Sequence, residues 1–396
     1  MHVDLKDHSL FAANRHLPVL DWLRKNAPVH WHEDPAGGGF WVLTRHRDVT
    51  RVYADHETFS SRHGMRLDSD PDAVKAVSQR MLIVSDPPTH TALKKAVGAS
   101  FGPAELPRLE LLVRQVVREV LDDALVDGRV DLVDVVKTIP NHVVCAIMGL
   151  PRSDWAWIGE ITTGAFESGD ESERAGAHAE IFLYFSEILA RRRADPGDDF
   201  ISRVACGQSG SRALSDEEVV FNCNGVLAGA NETTRHSAAG AVLAFIEHPD
   251  QWNRLREGGP AAIPAAVEEI LRWTTPGVHA LRTATRDTSV GGVRIQAGDQ
   301  VTVWNAAANH DDEVFPEPGR FDIARTPNRH VTFGHGRHVC VGARLARLEL
   351  AVYLEELIGR VAAVEGCGAP VFTASNFTWG LLSLPVDVRL AARPGP

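Results

Sequence analysis

From Ser215 to Glu247 the chain runs 33 residues without a proline, and this stretch restricts the fold more than any other. Ser215, followed by Asp216, Glu217 and Glu218, is a capping-box start with acid in the first helical turn. Pro249 marks the other end. At 1.5 Å per residue this predicts one helix about 50 Å long, which is unusual in a globular protein. Gly225 and Gly229 lie in its interior, each costing roughly 1 kcal/mol relative to alanine. A long apolar helix with Gly, Asn and Glu in mid-span implies that something approaches its backbone there.

Around it, apolar periodicity predicts helices over 17–25, 46–54, 90–100, 104–126, 131–149, 155–193, 249–257, 261–274 and 341–359. In 104–126, for example, Leu111, Leu112, Val116, Val120, Leu121 and Leu125 recur at helical spacing. The segment DPGDD at 195–199 breaks the pattern. Strands are predicted at 40–44, within 280–304 and within 368–392, whereas 60–74 and 305–338 read as turn-rich or irregular. The 396 residues would suggest two or three domains at about 150 each. No linker divides them, so a mostly helical single unit over 1–396 with small sheets is expected.

Composition narrows the function. Lys plus Arg total 41 against 52 Asp plus Glu, a net charge of −11, which disfavours general nucleic-acid binding. Five widely spaced cysteines (145, 206, 223, 340 and 367) make no disulfide framework and suit a reducing, cytoplasmic compartment. The N-terminal stretch has no run of 18 apolar residues, so neither a membrane anchor nor a secretory segment is expected.

Phe333 to Gly342 reads FGHGRHVCVG. A nucleotide loop at Gly334-x-Gly336 lacks the later glycine, preceding strand and βαβ setting. Zinc held by His335, His338 and Cys340 would have irregular spacing and no partner Cys or His pair. The third reading is a cysteine in a glycine-shaped loop at a helix start, where backbone N–H groups stabilise a thiolate and lower its pKa. Such a thiolate can ligate haem iron, and its electron donation favours O–O cleavage.

This segment resembles the haem-binding signature of the bacterial soluble cytochrome P450 family, F-G-x-G-x-H-x-C-x-G, at every fixed position. The resemblance extends over nearly the whole chain. Glu269-Ile-Leu-Arg272, with Glu269 lying 71 residues before Cys340 (340 − 269), is similar to the family's E-x-x-R pair. It implies a buried structural pair tied to a meander around Phe321 and Arg325. Ala228 to Thr234, AGANETT, resembles the oxygen-activation stretch. The bland alternative is a threonine bonded back to the carbonyl four residues earlier, beside a solvated glutamate. DPPTHTALK, Asp86 to Lys94, resembles D-P-P-x-H-x-x-x-R, with lysine at the arginine position. Gly291–Val301 and Phe315, Pro316, Phe321 and Asp322 match more loosely, and His310 and Asp311 depart from the usual pattern.

The resemblance implies a cytochrome P450 fold, with haem b between the long central helix and the cysteine loop. Cys340 would be the axial thiolate. His90, Lys94, Arg282 and His338 would contact the propionates, Lys94 with a point charge and no bidentate fork. Thr233 would deliver protons, with Glu232 as relay. Met65, Leu82, Ile83, Leu227, Ala230, Val278, Phe377 and Thr378 would line a substrate pocket, with Arg62, His63, Arg66 and His279 as its polar members. The implied reaction uses O2 to hydroxylate or epoxidise a small organic substrate in secondary, for instance antibiotic, metabolism. Oxidative coupling, desaturation or ring formation at the same site, and a non-catalytic haem sensor, are the alternatives. The implied partners of a monomer are ferredoxin and ferredoxin reductase. Lys94, Lys95, Arg337, Arg344 and Arg347 would form a basic docking patch.

Overall fold

A computed structural model describes residues 4–34, 37–167, 171–209 and 212–391. The long helix is present as Asp216–Glu247, 32 residues, and both arms of its capping box form between Ser215 and Glu218. It packs against the helices Thr138–Met148, Glu171–Ala194, Ile263–Thr274 and Ala343–Arg360. A helix flanked on so many sides has no solvent face to keep polar, which is why its apolar pattern has no clear stripe. The largest hydrophobic cluster lies around it, drawing Val113, Val116 and Val120 from the helix Leu106–Ala124 together with Val220, Cys223 and Leu227.

A five-stranded sheet forms a second layer, in the order Val29–His32, Phe40–Leu43, Gln300–Trp304, His279–Ala284, Phe59–Ser60. Gln300–Trp304 runs parallel to Phe40–Leu43 and antiparallel to His279–Ala284, pairing Val301 with Arg282. That register holds Arg282 in an interior strand.

Several elements differ from the sequence expectation. Pro71–Val77 is helical inside a stretch that reads as turns, because Asp70 caps it and Pro71 occupies its first turn. The span 131–149 divides into Leu132–Val136 and Thr138–Met148. The span 155–193 divides into Trp155–Glu167 and Glu171–Ala194, with 168–170 outside the described residues. The strands Val29–His32 and Gly128–Asp131 are absent from the sequence expectation, and each is only four residues long. Gly128–Asp131 pairs with Pro385–Leu390 near the other end of the chain, and such a partner leaves no local signal.

Glu269 and Arg272 are fully buried and joined by two 2.8 Å hydrogen bonds. Glu269 also accepts from the Asp322 N–H at 3.0 Å and from Arg325. Arg272 donates to the carbonyls of Asn309, Pro318 and Arg320. The pair therefore fastens the helix Ile263–Thr274 to the irregular segment before the cysteine loop, as the motif implied. Removing one partner leaves the other charge buried, which costs about 3–5 kcal/mol. Arg272→Leu is expected to lower the thermal unfolding midpoint by on the order of 5–10 °C. A midpoint within about a degree of wild type would show that the pair is dispensable.

Candidate functional site

The cysteine loop owes its shape to its glycines. Gly334 and Gly336 have φ of +70° and +69°, in the left-handed region. A Cβ on Gly336 would lie 2.7 Å from the Tyr53 carbonyl, so the loop seats against the helix His46–Ala54 only with glycine there. Cys340 N–H donates to the Phe333 carbonyl at 2.9 Å, closing the loop. The sulfur meets the backbone N–H groups of Gly342 and Ala343 at the start of the helix Ala343–Arg360. Burial nevertheless pushes the thiol above its ordinary value, and outweighs the lowering effects of those N–H groups, Lys94 and Arg347. The sequence expectation of a net lowered pKa is therefore corrected for the protein alone. A coordinated cation would supply the missing compensation, since metal-bound thiols deprotonate. The other four cysteines are free thiols, Cys145 and Cys223 buried, Cys206 exposed and Cys367 between.

Beside the loop, His90, His338 and Arg282 converge. The His90 and His338 rings lie 4.1 Å apart. His338 Nε2 meets Ser61 Oγ at 3.2 Å, and His90 Nδ1 is buried without a partner. Burial, with the Lys94 and Arg337 charges, pushes His90 down to about 4. Burial and the Arg282 charge push His338 down to about 2. Arg282 is buried, donates to the Leu281 carbonyl at 2.7 Å and stacks 5.4 Å over the Tyr53 ring. It has no carboxylate within ion-pair distance among the described residues. A buried guanidinium without an anion can receive an anionic group. Lys94 behaves differently. Its ammonium caps the carbonyls of Arg337 and Val339, the latter at 3.1 Å, so its donors point into the loop.

Thr233 and Glu232 sit in the middle of the central helix. Thr233 Oγ1 donates to the Gly229 carbonyl at 2.8 Å. A Cβ on Gly229 would have open space around it, with nothing within 4 Å. The glutamate is not solvated: it is 7% exposed, and Oε1 has no partner. Oε2 accepts from Arg235 Nη2 at 3.2 Å. Burial pushes Glu232 up to about 8. Arg235, one turn along, is a neighbour that the motif reading missed; the signal was an i,i+3 acid–base pair.

The expected pocket residues divide. Ala230, Met65, Leu82, Phe377 and Thr378 are half-buried, and Ile83 is exposed. Arg66 lies over the Phe377 ring at 5.6 Å. Leu227 and Val278 are wholly buried in two hydrophobic clusters and are corrected to core residues. At 100° per residue Leu227 falls opposite Gly229, whereas Val226, Ala230 and Thr233 share the Gly229 face. His279 is also structural: Leu67 N–H donates to its Nε2 and its Nδ1 meets the Asn376 carbonyl. The basic patch shrinks too. Arg347 is committed to the Glu268 carboxylate at 2.6 and 2.9 Å. Lys95, Arg337 and Arg344 remain exposed, beside the exposed Val339.

These features coincide with known proteins. The family model for Cytochrome P450 matches residues 261–361. The chain is 35% identical to Cytochrome P450 NovI of Streptomyces niveus, covering 98% of this chain and 96% of that one. It is 33% identical to linalool 8-monooxygenase of Pseudomonas putida, covering 97% and 98%. The solved structure of P450 OxyD, described as involved in the biosynthesis of vancomycin-type antibiotics, superposes with a TM-score of 0.90 at 35% identity. That match covers 98% of this chain and 100% of OxyD. The chain belongs to the cytochrome P450 family. It is accordingly a haem-thiolate monooxygenase that uses O2 and takes its electrons from a redox partner. No helix among the described residues is long and apolar enough to cross a membrane.

Proposed function

We propose that Cys340 is the axial thiolate of a haem b and that residues 1–396 act as one unit around it. Arg282, His90 and His338 would hold the propionates, and Lys94 would chiefly brace the cysteine loop. The observation that carries this reading is the buried, carboxylate-free Arg282 together with the unpartnered His90 Nδ1, with His338 near both. When bound, the haem supplies reductive activation of O2 toward a C–H bond. The chain holds the sulfur at a helix N-terminus, steadying its negative charge. Glu232, protonated up to about pH 8, can pass a proton toward Thr233 Oγ1. The half-buried surface around Ala230, Met65, Leu82 and Phe377 would place the substrate, with Arg66 nearby as a polar contact.

The substrate we infer is a moderately polar secondary metabolite, a reading supported by the antibiotic context in the OxyD description. Oxygen insertion is the leading outcome; coupling, desaturation or ring formation would need the same proton delivery. A type I spectral-shift screen of candidate metabolites followed by product mass spectrometry tests this. Gain of one oxygen supports insertion, loss of two hydrogens supports the alternative, and no shift with any polar metabolite would count against the substrate class.

We further propose a cytoplasmic monomer reduced by a ferredoxin with its reductase, docking over Lys95, Arg337, Arg344 and Val339. The Arg337→Glu/Arg344→Glu double variant is expected to slow ferredoxin-driven reduction about tenfold or more at low salt and to flatten its salt dependence. Unchanged reduction kinetics would move the docking face elsewhere.

A further inference from the structure

Gly225 lies in the central helix one turn before Gly229, and the group that approaches it comes from the loop ahead of Asp86. A Cβ at Gly225 would lie 2.6 Å from Met81 Cε, so Met81 rests on bare helix backbone there. Asn222, about one turn earlier, holds the same loop by its main chain. Its Oδ1 accepts from Leu82 N–H at 2.8 Å, and its Nδ2 donates to the Arg80 carbonyl at 2.9 Å. Nδ2 also donates to the Glu218 carbonyl at 2.6 Å, which fixes the amide on its own helix. Asn222 is 2% exposed. Its acceptor and its donors are therefore all engaged where this loop meets the helix. Asparagine and glycine are both poorer helix formers than alanine, so both positions give up helix propensity for this one contact.

The loop is otherwise fastened chiefly to itself. Gln79 turns the chain at φ +59°, and its N–H donates to the Val84 carbonyl at 3.1 Å. Ser85 Oγ donates to the Met81 carbonyl at 2.7 Å. Among the described residues, the further polar link to the helix is the Arg80–Glu217 ion pair at 2.7 Å, with both side chains half exposed or more. Such solvated pairs contribute little, so the buried Asn222 amide sets where the loop sits. Helical geometry relates that position to the reaction. At about 100° per residue, Gly229 and Thr233 each fall about 20° from Asn222. Gly225 precedes Gly229 by about 6 Å along the axis. Leu82, Val226 and Ala230 all pack, partly buried, against the main cluster.

We propose that Asn222 and Gly225 are positioning residues for the substrate. They seat Arg80, Met81 and Leu82 on the central helix, and so shape the pocket at the N-terminal end of the face that carries Thr233. The proposal rests on the reading above that Leu82 helps to place the substrate. Neither Asn222 nor Gly225 touches the reacting atoms; both act through the loop. Leu82 is held by its own N–H, whereas the unbranched Met81 side chain can adapt to ligands of different outline.

Two azoles that bind the iron of the holoenzyme separate pocket shape from haem binding: imidazole, which is small, and clotrimazole, which is bulky. Their dissociation constants are read from the type II spectral shift. Asn222→Ala and Gly225→Ala are each expected to weaken clotrimazole about tenfold and to leave imidazole within about twofold. Gly225→Ala improves helix propensity, so a weakened helix cannot account for its effect. The carbon-monoxide spectrum and the unfolding midpoint report whether each variant folds and holds haem. Leu82→Ala leaves both positioning residues in place and tests the underlying reading; it too is expected to weaken clotrimazole. Unchanged clotrimazole affinity in either folded positioning variant, with Leu82→Ala weakened, would overturn the proposal and leave that reading standing. Equal weakening of both azoles would overturn it by showing a general loosening of the haem site. Unchanged affinity in Leu82→Ala would remove Leu82 from the pocket, and the proposal with it.

Discussion

Cys340→Ala is expected to eliminate the red-shifted carbon-monoxide band of the reduced protein and to reduce monooxygenation by at least about three orders of magnitude. The size of the effect follows from the geometry of the loop. The backbone closes through Cys340 N–H and the Phe333 carbonyl, a bond that alanine keeps. The positive φ values of Gly334 and Gly336 are likewise untouched. The substitution therefore removes the sulfur and leaves its setting, including the converging Arg282, His90 and His338. Haem is expected to bind still through those residues, more weakly. A variant that retains the red-shifted band would refute the ligand assignment outright. A variant that cannot be loaded with haem at all would show that the propionate contacts contribute less than the sulfur.

Thr233→Ala and Glu232→Gln are expected to uncouple turnover, with peroxide released per reducing equivalent rising and product falling by on the order of ten- to a hundred-fold. Glu232 adds a pH signature. Its carboxyl is raised from 4.5 to about 8 by burial, so it is protonated and able to donate below that value. Coupling in the wild type should be full below about 8 and decline as pH rises through it. Glu232→Gln should give low, flat coupling across the same window. The stability sign is opposite to that of an exposed, salt-bridged carboxylate. Below 4.5 the group is protonated in both states and contributes no difference. Between 4.5 and about 8 the unfolded chain gains by ionising and the folded one does not, so stability falls as pH rises. Glu232→Gln removes that slope. Wild-type coupling in Thr233→Ala, or a Glu232→Gln profile that keeps the decline near pH 8, would take these residues out of the relay.

The contrast between Glu232 and Leu227 shows how legibility worked. Both lie in the central helix, five residues apart; Glu232 entered the expected site through a motif and Leu227 through family position. Glu232 is proposed there by residue type, and it stands buried with Oε1 unpartnered. Leu227 was assigned by position within a stretch, and a helix turns 100° per residue. Its face points into the main core. Val278, just before the strand His279–Ala284, went the same way, since an apolar residue there can serve the pocket or the core with equal chemical plausibility. Arg347 looked like a free surface cation until the helix carrying Glu268 came alongside.

The sequence by itself determined the chemistry that depends on residues close in the chain. The glycines that shape the cysteine loop, the capped proline-free helix, the Glu232–Thr233 pair and the Glu269–Arg272 spacing all act over a few residues. Their conformations are set by φ/ψ limits and helical periodicity. Only the tertiary structure decided which face of each element is buried and which charges are already paired, as Arg347 is with Glu268. The physical reason is that burial and pairing are properties of contacts between distant segments. A desolvated carboxyl at Glu232 and an anion-free guanidinium at Arg282 exist only once helices and sheet have closed around them.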